Sequence, residues 1–535
     1  MTPPHHPDRK ETPRLMHLGW LLLACLLILA PPYLQSIFVP AVGLFHDDGI
    51  YAVTSRALAE GEGYRLVDLP HEPAQTKYPP LFPLVLATVW KLTPDFPENT
   101  ALLKLVPFVF GLLWLYLSYR LLRKLALSRS ISFAVVVAVA AAPSTMYLST
   151  TLLSETLFAA LCMGSLLFAE TLNTAKSSLR TRVILAAAFA ALATLARLAG
   201  VALVLAILGC LLSRRQWKSA LLFAVVVGIL LSPWALWVAG NPSAGYYTSA
   251  NYASWNLFSP DVTASVGDKL MVFFKNAIWI FTTPGFAWSA PMAAYPVLAL
   301  LTAALLVAGT FRTLPRNLPT FWFIVVYLGL VLCWAWPPHR FVITILPLIV
   351  WLMVQGLPEH FRNPRPIALL AFTLIVSVPS VFLLYRNVNV ANERGTLPWT
   401  ITEVADWQQM RQVSEWIRNN TDPKTVVVGN LDPAYFLLTD RKAMRGFDAD
   451  PFLLFYAATP HANPVQLDWP TSNEAGFVLV ESPDHFFAEG PYLRKLLQER
   501  KEKGHLEEQA VFGEFRIYLP KNIPLETPPD LGSVP

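Results

Sequence analysis

The residues able to do chemistry in this chain fall into a few charged motifs separated by long apolar runs. The first is His46-Asp47-Asp48-Gly49-Ile50-Tyr51-Ala52, with Ala57-Leu58-Ala59-Glu60-Gly61 shortly after it. Adjacent carboxylates just beyond a membrane segment are expensive to place. Such a pair suits general-base work, in which a carboxylate takes the proton of an attacking hydroxyl. A helix N-cap in a solvated loop accounts for the same two residues without chemistry. Next come Lys77-Tyr78-Pro79-Pro80-Leu81 and Ser154-Glu155-Thr156-Leu157-Phe158. Glu155 opens an apolar run, where the helix dipole also favours an acid, with Ser154 as its cap. Arg197 is flanked by apolar residues on both sides, so it either snorkels to an interface or holds an anion. Pro337-Pro338-His339-Arg340-Phe341 puts a cation at a helix start, against the dipole preference, and a bound anion explains it better.

The elements that position these residues belong to a polytopic membrane protein. Of 535 residues, 54% are hydrophobic and 14% charged, against about a quarter charged in a typical soluble domain. Apolar runs cover 16–37, 100–119, 131–148, 155–172, 182–196, 198–213, 218–238, 291–311, 319–336, 341–356 and 366–385. A bilayer core about 30 Å thick takes around 20 such residues per helix, and only helices satisfy the backbone there. About eleven transmembrane helices are expected on that basis. The segment 79–92 is apolar but short, and suits a re-entrant or interfacial position. The first helix, preceded by Arg9, Lys10 and Arg14, reads as a retained signal anchor because no small-residue cleavage site follows it.

Charge orients the bundle. With residues 1–15 as a cytoplasmic tail, the inside loops hold Arg120, Arg123, Lys124 and Arg129, then Lys176, Arg180 and Arg182, then Arg214, Arg215 and Lys218, then Arg312 and Arg316, then Arg362 and Arg365. That agrees with the positive-inside rule, and it requires two short helices meeting near Arg197 rather than one long one. A transmembrane domain over 16–385 then exposes the loop 38–99, the turn before Ser154-Glu155, the aromatic-rich loop 240–290 and the C-terminal segment on the extracytoplasmic face. The net charge of +5 sits in short inter-helix loops, which excludes a nucleic-acid footprint. Cys25, Cys162, Cys210 and Cys333 all lie in apolar runs and read as small buried hydrophobes, with no disulfide framework or metal cluster.

Residues 386–535 change character, with charges spread throughout. An amphipathic helix is expected over 405–419 and another over Pro491–Lys503. Strands are expected at Thr425–Val428, Phe477–Val480 and Phe512–Leu519. Together they make a small soluble α/β domain. Pooled, the motifs put acids and cations at one membrane face. That suits a lipid phosphate meeting a hydroxyl acceptor, and equally a transporter or flippase for a charged or lipid-linked solute. Transporters usually carry internal repeats, and none is visible here.

The ordered set Asp47-Asp48-Gly49-Ile50-Tyr51-Ala52, Ala59-Glu60-Gly61, Tyr78-Pro79-Pro80-Leu81, Ser154-Glu155, Arg197, Arg340-Phe341 and Leu346-Pro347 resembles the GT-C superfamily of membrane glycosyltransferases. The similarity is to the bacterial branch of protein O-mannosyltransferases and lipid A aminoarabinose transferases, and spans most of the chain. Trp416-Ile417-Arg418, Val426-Val427-Val428 and Tyr435–Arg441 resemble the extracytoplasmic domain of many such proteins. The resemblance implies a GT-C-like α-helical bundle, a polyprenyl-phosphate-linked sugar donor and inverting transfer to an extracytoplasmic glycan, lipid or protein, with the active site at the periplasmic side of the inner membrane. It implies Asp47 as general base, Asp48 as its support or an acceptor ligand, and Glu155 as the acid that orients acceptor or sugar. Arg340, with His339, Arg197 and Lys77, would hold the leaving phosphate, and Tyr51 and Tyr78 would contact substrate. Aminoarabinose transferases carry Glu-Lys just before Pro-Pro, the Glu being a metal ligand, whereas Lys77-Tyr78 stands here. Metal-independent transfer with no cofactor is therefore expected, and His71-Glu72 reads as surface. The aromatics Tyr246, Tyr247, Tyr252, Trp255, Phe258, Phe281 and Trp288 suit either an interfacial belt or a lid over a sugar site. A catalytically inactive relative acting as a lipid-linked sugar receptor is the remaining alternative.

Overall fold

A computed structural model describes residues 24–25, 27–172, 179–241, 257, 265–362, 366–399, 406–445, 456, 476–482 and 490–521. The N-terminal tail and Tyr246, Tyr247, Tyr252, Trp255 and Phe258 lie outside the described residues. The chain is a multi-pass membrane protein. Among the described residues six helices are long and apolar enough to cross a bilayer, or seven if one bent pair counts as a span. The long ones are α4 (Thr100–Lys124), α8 (Leu179–Ala196), α10 (Trp217–Gly240), α11 (Val266–Ala287), α12 (Tyr295–Thr313) and α17 (Pro366–Arg394). Shorter apolar helices fill the bundle: α1 (Leu27–Ile37), α3 (Leu81–Leu92), α7 (Glu155–Ala169), α9 (Val201–Ser213), α13 (Pro319–Leu332) and α15 (Leu346–Gly356). On α10 and α12, Leu221, Ile229, Leu236 and Leu300 stand exposed, a surface that water would penalise and lipid does not.

The run 131–148, expected as one helix, is two: α5 (Arg129–Ala141) and α6 (Pro143–Thr150), bent by 69°. Pro143 is the cause. It pushes Ala142 into extended backbone (φ −71°, ψ 126°) and then takes the first position of the next helix, where its missing N–H costs nothing. The expected break near Arg197 is present. Arg197 is itself extended (φ −151°, ψ 133°) between α8 and a one-turn helix at Leu198–Gly200 that leads into α9.

The segment 240–290, expected as an external loop, contains the 22-residue α11. Asp268, Lys269, Lys275 and Asn276 interrupt its apolar residues, which is why it does not read as apolar in sequence. The Asn276 side chain donates to the carbonyls of Leu332 (3.0 Å) and Trp334 (2.8 Å) at the end of α13, and Lys275 reaches the Tyr456 carbonyl at 3.4 Å. Those contacts hold α11 at the end of the bundle that carries the C-terminal domain.

That domain is built on α18 (Trp407–Asn420), β1 (Val426–Val428), α19 (Asp432–Thr439), β2 (Ala443–Met444), β3 (Phe477–Glu481), α20 (Gly490–Glu502), β4 (Leu506–Phe512) and β5 (Phe515–Pro520). The sheet order is β2-β1-β3-β5-β4. β1 pairs parallel with β2 and β3, its three valines buried on both faces as a central parallel strand requires. β3–β5 and β5–β4 are antiparallel, and along the edge strand β4 exposed residues alternate with more covered ones, of which Leu506 is buried. The expected single last strand is therefore the second half of a hairpin. The sheet core (Val427, Val478, Ile517) belongs to the same hydrophobic cluster as Leu346 and Trp351 of the bundle. The domain is seated on the membrane part, not tethered to it.

Candidate active site

The helix α2 (Asp47–Glu60) begins at the first acid of the motif, and its two leading carboxylates point to different surroundings. Asp48 accepts from the backbone amides of Gly43 (2.7 Å) and Phe45 (2.9 Å) and is buried. Burial pushes its carboxyl up to about 6 even though those amides favour the charged form. Asp48 thus closes the loop that leads into α2. Asp47 faces the other way. Its Oδ1 accepts from the Tyr78 hydroxyl at 2.5 Å, and its Oδ2 lies 2.6 Å from Nη1 of Arg340. Burial opposes ionisation of Asp47, but the guanidinium and the phenol outweigh it and hold the carboxyl below the usual carboxylate range.

Arg340, on the short α14 (His339–Ile343), also donates through Nε to Oε1 of Glu155. The same carboxylate oxygen lies 2.7 Å from Nη1 of Arg197. Arg197 extends from the α8–α9 break and donates in addition to the Ser154 hydroxyl at 3.1 Å, which lies 2.8 Å from the Tyr51 hydroxyl. Two acids and two guanidiniums, drawn from four separated motifs, therefore form one buried, charge-balanced cluster. The anion expected beside Arg340 from helix-dipole reasoning is, in this structure, the protein's own pair of carboxylates. Glu155 Oε2 and Arg340 Nη2 are buried without a hydrogen-bond partner among the described residues. That leaves one free acceptor and one free donor at the centre of the cluster, an arrangement costly to keep unless something uses it.

Aromatic rings bed the two arginines. The Arg340 guanidinium lies 4.5 Å from the Phe45 ring centroid, and that of Arg197 lies 5.3 Å from Phe341. Such cation–π contacts add about 0.5–2 kcal/mol each and fix the fork of the guanidinium. Phe45 in turn packs with Tyr147 and Trp399. Neither ring was singled out in the sequence for this role. Their only signal was adjacency, to His46 and to Arg340.

Not every expected residue joins the cluster. His339 is turned onto α11, its ring stacked on Phe286 at 4.5 Å and its Nδ1 3.0 Å from the Thr283 hydroxyl. The Lys77 ammonium sits 5.4 Å from the Tyr78 ring, near enough to favour the charged form of Asp47. Ser154 gives α7 no side-chain cap, its hydroxyl being engaged with Tyr51 and Arg197. Glu72 pairs with Lys442 at 2.5 Å. No group of three or more His, Cys, Asp or Glu among the described residues is placed to hold a metal ion. Asp47 and Glu155 of the cluster each face a guanidinium.

A cavity of about 600 Å³ opens beside the cluster. Arg197, Tyr51 and Tyr78 form its polar end, and Leu198, Val201, Leu330, Val331, Trp334 and Phe341 make much of the rest apolar. No protein-family model and no curated protein sequence matches the chain. Solved structures do match. ArnT from Cupriavidus metallidurans bound to undecaprenyl phosphate aligns with a TM-score of 0.57 at 16% identity, covering 94% of this chain and 98% of that one. Its apo state aligns at 0.56 with 17% identity. The Archaeoglobus fulgidus oligosaccharyltransferase tethered with an acceptor peptide aligns at 0.50 with 13% identity, over 80% of this chain and 64% of its own. The chain shares its fold with these two proteins. Within this fold, the acid–arginine cluster sits where the start of α2, α7, the α8–α9 break and α14 converge.

Proposed function

We propose that the chain is an extracytoplasmic glycosyltransferase that moves a sugar from a polyprenyl-phosphate donor to an acceptor hydroxyl. The observation that carries this is the pairing of a charge-balanced cluster of two acids and two guanidiniums with an apolar cavity that has Arg197 at its polar end. An isoprenoid chain suits the apolar walls, and its phosphate suits the arginines. The structural neighbour ArnT binds undecaprenyl phosphate, which supports a donor of this class.

In the proposed reaction the acceptor oxygen attacks the anomeric carbon while the bond from that carbon to the phosphate oxygen breaks, with inversion. Asp47 takes the acceptor's proton, and polyprenyl phosphate leaves with the bonding pair. Arg340 and Arg197 meet the charge that grows on the leaving phosphate, so they stabilise the transition state more than the ground state. Asp47 held by Arg340 is a weak base. A donor phosphate competes for that guanidinium, and drawing Arg340 away from Asp47 raises the carboxylate's proton affinity just when a base is needed. Glu155, with its free Oε2, suits a hydroxyl of sugar or acceptor. Tyr78 orients Asp47, and Asp48 holds the loop beneath it. No step is routed through a metal.

The test uses purified protein in nanodiscs with a panel of radiolabelled polyprenyl-phosphate sugars, in buffer with and without EDTA. Label transferred or released from one donor, unchanged by EDTA and lost in Asp47→Asn, is the expected result. Loss with EDTA and recovery with a divalent ion would remove the metal-independent mechanism. No reaction with any donor would remove the transferase itself.

A further inference from the structure

The residue before the candidate base is held by the other domain. His46 has φ 65° and ψ −56°, a backbone region that a non-glycine residue occupies only when its surroundings impose it. Its Nε2 lies 3.3 Å from Oδ1 of Asp432, the first residue of α19 in the C-terminal domain. Asp432 is fully buried and lies 3.5 Å from Nε of Arg445, which follows β2. Backbone contact is equally close. A Cβ on Gly43 would come within 2.8 Å of the Ala434 Cβ, and one on Gly49 within 2.6 Å of the Pro433 Cβ. Only glycine on the loop side lets the Asp432-Pro433-Ala434 turn reach that surface. The loop thus has two constraints. Asp48 ties it from within, and the domain presses on it from outside.

We propose that Asp432 is a positioning residue for Asp47, acting through His46 to hold the first turn of α2 so that the Asp47 carboxylate faces Tyr78 and Arg340. The proposal rests on the glycosyltransferase reading for its catalytic consequence, although the restraint on the loop stands without it. It gives the C-terminal domain a share in catalysis that does not require it to touch the donor. Burial and the Arg445 guanidinium hold His46 below its ordinary pKa.

The experiment compares full-length Asp432→Asn, His46→Gln, their double variant and Arg56→Ala in nanodiscs. Arg56→Ala cuts a different tie across the same junction, the ion pair to Asp440 at 2.9 Å. Turnover with the active donor and hydrogen–deuterium exchange over residues 43–52 are both read. Asp432→Asn and His46→Gln should each lower kcat by about tenfold or more with little change in KM for the donor, as expected for a misplaced reacting group. The double variant should lose no more than His46→Gln alone, because both act on one contact. Exchange over 43–52 should rise in all three, and Arg56→Ala should stay close to wild type in both measurements. Turnover of Asp432→Asn within twofold of wild type, additive losses in the double variant, or unchanged exchange would each overturn the proposal. If Asp432→Asn does not fold, His46→Gln alone must still give the kcat-only loss and the raised exchange, or the proposal fails. If the wild type reacts with no donor, the transferase reading fails and exchange alone decides the restraint.

Discussion

Beside the cavity Asp47 and Glu155 meet Arg197 and Arg340 at ion-pair distance. At the domain junction Asp432 meets His46 and Arg445, while Asp68 lies buried beside it with no ion pair of its own among the described residues. Both regions bury carboxylates, yet only the first matches each acid with a guanidinium. The comparison separates two uses of buried charge. On the proposed reading the cations beside the cavity are exchangeable, because a donor phosphate would compete with the carboxylates for an arginine. At the junction the charges fix one surface against another. Burial and the neighbouring Asp432 push the Asp68 carboxyl well above the usual range.

The comparison breaks most sharply at Asp47. If exchangeable charge beside the cavity serves catalysis, Asp47→Asn should lower turnover by about 10²–10⁴, the range of a general base, in a protein that still folds and binds donor. Turnover near normal would assign the base elsewhere and leave Asp47 as a mere partner of Arg340. The arginines come next and should be unequal. Arg340→Ala strips both Asp47 and Glu155 of a partner, whereas after Arg197→Ala Glu155 still has Arg340. Removing one member of a buried pair typically costs about 3–5 kcal/mol, so Arg340→Ala should show the larger fall in thermal midpoint. Donor affinity and turnover should fall together in Arg340→Ala. Loss of acceptor affinity alone would contradict its assignment to phosphate.

How much of this was legible in sequence differs between the two regions for a physical reason. Asp47, Glu155, Arg197 and Arg340 stand out because charge among apolar residues is costly, and the count of Lys and Arg in alternating loops put them at one membrane face. Their convergence depends on the extended backbone at Arg197, which the loop-charge count anticipated. Asp48 stood beside Asp47 in the motif, but a one-residue step at a helix start turns its carboxylate onto backbone amides, and spacing does not reveal that. His339 was adjacent to Arg340 and faces Phe286 for the same reason. The junction was not legible at all. Asp68, Asp432 and Arg445 are ordinary loop and domain charges in sequence, and only packing across hundreds of residues puts them together. The valines of β1 and the amphipathic α18 announced themselves through pattern, while α11 was hidden by its scattered polar residues and the Pro143 bend by the apolar run on both sides of it.

The smallest expected effect lies at Asp68 and sharpens the comparison from the other side. Its carboxyl titrates near 4 in an unfolded chain and higher in the folded protein. Between those values the native state keeps a proton that the unfolded state has lost. Stability therefore falls as pH rises through that window and is flat above it. Asp68→Asn deletes the titration while keeping the shape. Wild type and variant should have similar thermal midpoints near pH 4. At neutral pH the variant should equal or exceed wild type by an amount on the order of 1 kcal/mol, with turnover unchanged. The opposite pattern, a variant less stable at neutral pH than wild type, would mean that Asp68 is ionised and paired in the folded state. The junction would then balance its charges as the cluster beside the cavity does, and the distinction between exchangeable and fixed charge would have to rest on ligand access alone.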